Sequence, residues 1–165
     1  MPGTRAASKG TPALVALGRA GIDHTVHIYE APAGHSHYGA AGAAALGVAP
    51  DRMAKTLVAE VDGKLHVAVV PVSGSLDLKA LAQAVGGKRA SMADPTAAER
   101  ATGYVVGGIS PFGHRTRLPV VIDDSLAAFA TVYVSAGRRG LSVELSPASL
   151  VAATDGMLAP IRKVA

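Results

Sequence analysis

The sequence predicts a single compact α+β domain: a mixed, mostly antiparallel sheet, curled towards a barrel, with flanking helices. Three observations carry this reading. Helical and extended patterns mix along the chain without the strict strand-helix-strand alternation of a parallel α/β fold. Asp62-Gly63 stands between two apolar arms, the signature of an antiparallel hairpin. Four short β-rich runs, GYVVGGISPFG, LPVVIDDSL, ATVYVSAG and LSVELS, are punctuated by Gly, Pro and Asp in the second half of the chain.

The elements follow in order. Residues 1–10, MPGTRAASKG, read as a loose tail, which leaves 11–165 as the domain. PALVALGRA, 12–20, reads as a helix with Thr11 as N-cap, Pro12 at the first helical position and Gly21 as its end. HTVHIYE, 24–30, alternates as a strand, and APAGHSH is a loop. An Ala-rich helix then runs from Tyr38 to Leu46 and stops at Gly47. The hairpin arms occupy 54–61 and 64–72. Leu76, Leu78, Leu81 and Val85 form the apolar stripe of a helix that Ser75 is placed to cap. GGKRASMA holds a short strand, and Asp94-Pro95 opens the helix DPTAAERA. The four β-rich runs come next, TGYVV being the strand of the first, and Ser146-Pro147 opens a last helix, PASLVAA.

Composition bounds the chemistry. With 165 residues and 49% hydrophobic side chains, but only 4% aromatic and no Trp, the core must be built from Val, Leu, Ile and Ala. The absence of Cys excludes disulfides, thiolate zinc sites and a protein thiol nucleophile. The net charge of +4 permits an anionic partner such as nucleic acid, but the excess is modest. No apolar run approaches a transmembrane span and no signal-peptide core follows the first ten residues, so a soluble cytoplasmic protein is expected, with no membrane partner.

Several common signatures are missing: the phosphate-binding G-x-x-x-x-G-K-[ST] loop, a dinucleotide fingerprint and the G-x-S-x-G nucleophile elbow. His24 and His27, three apart on a strand, point to opposite faces and make a poor metal pair. His35 and His37 share a loop, but no H-E-x-x-H motif or obvious carboxylate accompanies them, so no metal and no cofactor are expected. The basic residues fall in scattered pairs: Lys88-Arg89, Arg115 with Arg117, Arg138-Arg139 and Arg162-Lys163. They contact phosphates only if folding gathers them on one side.

Three features stand out. In an extended 54–61, Lys55 shares a face with Leu57, Ala59 and Val61, opposite Thr56, Val58 and Glu60. A snorkelling stem is the plain explanation, and a bulge at 54–56 would reverse the facing. Gly107-Gly108-Ile109-Ser110-Pro111 is either a tight turn or a loop whose amides meet a substrate carbonyl or phosphate. Ser135, at the end of ATVYVSAG, is either a turn residue or a polar group at a pocket rim.

Taken as an ordered set, KTLVAEVDG at 55–63, AVVPVSGSLDLKALA at 68–82, MADPTAAERATGYVVGGISPFG at 92–113, LPVVIDDSL at 118–126 and VYVSAGRRGLSVEL at 132–145 resemble the YbaK/EbsC family of aminoacyl-tRNA deacylases. The resemblance spans residues 12 to 155 and is strongest to the branch that hydrolyses cysteine mischarged onto proline tRNA. It implies the barrel-like fold of that family and editing in trans, as a free-standing protein whose partners are mischarged tRNA and, in addition, prolyl-tRNA synthetase. A site built for proline cannot strongly reject a similar-sized cysteine, so a second site must clear the error. By the same resemblance Lys55 is the lysine tied to activity, Gly107, Gly108, Ile109, Ser110 and Pro111 form the substrate loop, and Tyr29 and Ser135 lie near the aminoacyl end. The substrate's own thiol would attack its ester carbonyl, leaving the protein to supply proximity and charge. A deacylase of Ala-tRNA(Pro) or broader specificity, and a binding module without turnover, are the alternatives. Ser142 departs from the pattern, standing where an acidic residue is expected, and segment 33–47 matches poorly.

Overall fold

The computed structural model describes residues 10–30 and 38–164. Helix α1, Pro12–Ala20, begins where Thr11 accepts from the Leu14 amide and ends at Gly21 in the left-handed region, as the sequence predicts. Strand β1 is Thr25–Ile28, and helix α2 is Tyr38–Leu46. Strands β2, Ala54–Val61, and β3, Lys64–Pro71, pair antiparallel with unbroken register, joined by Asp62 and Gly63 at φ 49° and 83°.

Strand β4, Ser75–Leu76, precedes helix α3, Leu78–Ala84. The expected Ser75 cap is corrected: Asp77 caps α3, its carboxylate accepting from the Ala80 amide at 3.0 Å, while Ser75 pairs with Lys163. Strand β5, Ala90–Met92, leads to helix α4, Pro95–Thr102, capped by Asp94 and closed by Gly103. The expected strand in TGYVV does not form. Thr102 is the last residue of α4, Gly103 reverses the chain at φ 83°, and Val106 folds back to donate its amide to Glu99 of the same helix at 2.9 Å.

Strand β6, Val120–Asp123, continues into a 3₁₀ turn, Asp124–Ala128. Strands β7, Val132–Arg138, and β8, Leu141–Leu145, form the second hairpin, and helix α5, Pro147–Thr154, starts at the Ser146 cap. Two short strands follow that the sequence reading omitted, β9 at Met157–Ala159 and β10 at Arg162–Lys163. The second is pinned by buried Asp123, which accepts from the amides of Ile161 and Arg162 at 3.0 and 2.9 Å.

The strands form a five-stranded sheet, β5-β2-β3-β6-β9, a three-stranded sheet, β1-β8-β7, and the pair β10-β4. Among the paired strands of the described residues, β3-β6 and β6-β9 run parallel and the rest antiparallel. Among the described residues, the two larger sheets are joined by one bridge, Met53 to Tyr133, and do not close into a barrel. The larger sheet is buried on both faces. Ala54, Val58, Val67, Val69, Val120 and Ile122 face the main core, shared with β7, β8 and α1. Ala59, Val61, Ala68, Val70 and Val121 face a second core closed by Leu81 and Ile161. Among the described residues, no helix is long and apolar enough to cross a membrane.

Candidate functional site

A cavity of about 680 Å³ opens in the wedge between β2 and β7. Its shape follows from strand pairing. Among the described residues, strand β5 pairs with β2 only at residues 59–61, and β7 pairs only with Met53, the residue just before β2, through Tyr133. Between these points the outer edge of β2 has no strand beside it among the described residues, and Ala54 to Val58 form one cavity wall. The Val72 amide donates to the Met53 carbonyl, and the Val58 carbonyl accepts from the Ala93 amide on the opposite side. Odd residues of β2 therefore bond β3, and the backbone groups of Ala54 and Thr56 face the open edge.

Lys55 lies on this wall. The register of β2 and β3 has no bulge, so Lys55 does share a face with Leu57, Ala59 and Val61. Only Leu57 of those three reaches the cavity; Ala59 and Val61 pack in the second core. Partial burial lowers the Lys55 pKa from 10.5. A cation with a strained charge beside a cavity is a ready donor to an anionic or carbonyl oxygen. Tyr29 follows β1, held by its amide to the Gly140 carbonyl at 2.9 Å, and its ring packs against Gly42 of α2.

The glycine loop forms another wall through Gly107 and Ile109. Gly107 sits at φ 98°, and Gly108 lies so close to the β7–β8 hairpin that a Cβ would stand 3.0 Å from the Arg138 Cα. The Gly108 amide is used inside its turn, donating to Val105 at 2.8 Å, so it is not aimed at the cavity. Ser110 and Pro111 are buried behind the loop and do not line the cavity. The Ser110 carbonyl accepts from His114 Nε2 at 2.6 Å, and the Tyr104 hydroxyl, whose pKa burial pushes up to about 12, donates to the Phe112 carbonyl at 2.5 Å.

Ser135 also lines the cavity, and its hydroxyl donates to the Gly108 carbonyl at 3.3 Å while accepting from the Gly137 amide at 3.1 Å. The register of β7 with β8 shifts between Ser135 and Arg138, which turns Arg138 and Arg139 to the cavity. They are the only basic pair of the four among the lining residues. Arg117 instead pairs with Asp155, Arg162 with Asp51 and Asp123, and the Lys88 and Arg89 amides cap the Asp62 carboxylate.

A polar network beside the site was not foreseen. Glu144 accepts from His27 Nε2 at 2.9 Å and from the Thr131 hydroxyl at 2.5 Å. Arg52 donates to the Thr131 hydroxyl and carbonyl and lies over the Tyr133 ring. The hydrogen bond from Thr131, then that from His27, holds the Glu144 carboxyl below its ordinary value. These bonds tie Arg52, just before β2, to the start of β7, and so fix the apex of the wedge. Sequence gives little sign of it, since His27 and Glu144 are 117 residues apart. Thr56 and Ser142, which line the cavity, were likewise not singled out as site residues. The expected tail, apart from Gly10, and the pair His35 and His37 lie outside the described residues.

Residues 35–153 match the model of the aminoacyl-tRNA editing domain family. The chain is 39% identical over 121 residues to EbsC of Enterococcus faecalis, named as a proposed Cys-tRNA(Pro)/Cys-tRNA(Cys) deacylase, covering 72% of this chain and 73% of that one. It is 35% identical over 124 residues to the multifunctional Ser/Thr-tRNA deacylase ProXp-y of Escherichia coli K12, covering 72% and 74%. Among solved structures, a proposed trans-editing enzyme for prolyl-tRNA synthetase superposes with a TM-score of 0.83 at 25% identity, over 95% of this chain and 97% of that one.

Proposed function

The chain belongs to the aminoacyl-tRNA editing domain family, and we propose that it is a trans-acting hydrolase that cleaves the ester of cysteine mischarged onto proline tRNA. The observation that supports this most is convergence. Tyr29, Lys55, Gly107, Ile109 and Ser135, drawn from four separate segments, line one cavity with Arg138 and Arg139. The likeness to EbsC supports cysteine as the acyl group. The solved trans-editing relative supports prolyl-tRNA synthetase as the source of the error and a partner.

In this reading the arginine pair meets the phosphates of the acceptor end, and Lys55 donates to the terminal nucleotide or the ester oxygen. The cysteinyl Sγ attacks its own ester carbonyl carbon. An S–C bond forms, the C–O bond to the terminal ribose breaks, and the thiol proton ends on the released 3′ oxygen. Water then opens the cyclic thioester to free cysteine. The protein contributes proximity and charge rather than a nucleophile. Because the Gly108 amide is engaged, oxyanion donation falls to Lys55 and to the open edge of β2 at Thr56.

The E. coli relative favours a second reading, a broader deacylase that also accepts hydroxylated acyl groups. The test is deacylation of Cys-, Ser- and Ala-charged proline tRNA, with Lys55→Ala alongside. The proposal expects the cysteinyl ester to be cleaved fastest and Lys55→Ala to abolish most of that rate. Equal rates for wild type and variant would remove Lys55 from the mechanism. A seryl analogue cleaved as fast as cysteinyl would remove the thiol step.

A further inference from the structure

Three buried side-chain polar atoms among the described residues have no hydrogen-bond partner, and two of them, Thr56 Oγ1 and Ser142 Oγ, belong to residues lining the cavity. Thr56 is 8% exposed and Ser142 1% exposed, so solvent does not satisfy either hydroxyl. A buried hydroxyl left unpaired opposes folding, and such exceptions call for an explanation. Their positions are independent. Thr56 sits on the open edge of β2, and Ser142 sits on β8, opposite Ser135 and His27 in the ladders. The neighbours do not serve them: Ser135 is engaged with Gly108 and Gly137, and His27 with Glu144.

We propose that Thr56 and Ser142 are specificity-determining residues, whose hydroxyls recognise an acyl group with a hydrogen-bonding –SH or –OH on its side chain and discriminate against alanyl. This rests on the reading of the cavity as the aminoacyl site. Each hydroxyl turns about its single χ1 bond between staggered positions to meet the occupant. A thiol or hydroxyl side chain gives the oxygens a partner at the moment the cavity is desolvated. An alanyl methyl leaves them orphaned, and a site with unpaired polar groups rejects the analogue that lacks the matching group. Ser142 is neutral, so the recognition needs no charge on the side chain.

The experiment measures kcat/KM of the full chain on cysteinyl, seryl and alanyl esters of proline tRNA, for wild type, Ser142→Ala, Thr56→Val and Thr56→Ser. The expected result is a fall of about tenfold or more in the cysteinyl-to-alanyl and seryl-to-alanyl ratios for Ser142→Ala and Thr56→Val. Thr56→Ser, which keeps the hydroxyl, retains the wild-type ratios. Thermal unfolding of each variant checks the fold, and removing an orphan hydroxyl is expected to raise Tm. Raised Tm with ratios unmoved would make the two hydroxyls packing defects only, overturning the inference while leaving the deacylase reading intact. Wild type inactive on all three esters would overturn both.

Discussion

The Ser135 hydroxyl donates to the Gly108 carbonyl at 3.3 Å, so the end of β7 holds the glycine loop against the cavity. Sequence offered Ser135 as a turn residue or a pocket group, and the bond makes it a clamp. Ser135→Ala removes this bond and the one accepted from the Gly137 amide, and should cost roughly 1–3 kcal/mol, the net worth of two neutral hydrogen bonds. It should lower kcat/KM for deacylation by about tenfold, because the loop wall loses its anchor. Gly108→Ala should do more harm, since its Cβ would meet the Arg138 backbone at 3.0 Å. Urea unfolding and single-turnover deacylation check both. A Ser135→Ala variant of unchanged rate would show that the loop holds itself.

Lys55 should leave an alkaline limb in the rate profile. Burial lowers its pKa from 10.5, so on raising the pH the ammonium loses its proton earlier than an exposed lysine does. After subtraction of spontaneous ester hydrolysis, wild-type kcat/KM should fall with rising pH before 10.5 is reached. Lys55→Arg keeps its charge throughout and should lose that limb, at reduced activity. The stability sign is opposite. Between the lowered folded pKa and 10.5 the unfolded chain binds more protons, so the penalty of burying the ammonium fades as pH rises through this window. Lys55→Met should therefore stabilise the protein most at neutral pH, with the gain shrinking towards pH 10.5. An alkaline limb that survives Lys55→Arg belongs to another group.

Most of the fold was legible because its signals are local. Thr11, Asp94 and Ser146 each precede Pro and cap a helix, and Asp62-Gly63 sets the hairpin. The errors have local causes too. Ser75 and Asp77 both have capping chemistry, and tertiary pairing of Ser75 with Lys163 decided between them. Val105 and Val106 have β-branched side chains but are exposed in a return loop held by Glu99. At the site, alternation made legible the face that Lys55 shares with Leu57, and no more than that. The wedge between β2 and β7 was not legible, because it depends on where β5 stops pairing and on Arg52 reaching Thr131. Such long-range pairings leave no periodic trace.

Gly42→Ala should separate helix propensity from site geometry. Alanine gains about 1 kcal/mol over glycine inside a helix. Here its Cβ would stand 2.8 Å from the Tyr29 hydroxyl and 2.9 Å from Cζ, so the ring must swing away. The ring moves more easily than backbone, and Tm should change by only a few degrees in either direction. KM for the charged tRNA should rise severalfold, because Tyr29 lines the cavity. Tyr29→Phe tests the hydroxyl separately. If Gly42→Ala leaves KM alone, the Tyr29 ring does not contact substrate.

His114 should make stability fall in mild acid. Its Nε2 faces the Ser110 carbonyl at 2.6 Å, and a carbonyl only accepts, so Nε2 carries the proton and donates. Burial lowers the imidazole pKa from 6.5, outweighing the bond to Ser110, which raises it. Between the folded pKa and 6.5 the unfolded chain therefore binds more protons than the folded one. The contribution is complete above 6.5 and is lost as pH falls from there towards the folded value. Urea midpoints taken from about pH 5 to pH 8 should show this slope. His114→Phe should flatten it and lower the plateau by about 1–3 kcal/mol, since the buried Ser110 carbonyl loses its donor. Ser110 adjoins Ile109, so the same variant should weaken deacylation at every pH, whereas a merely titrating histidine would alter only the acid limb.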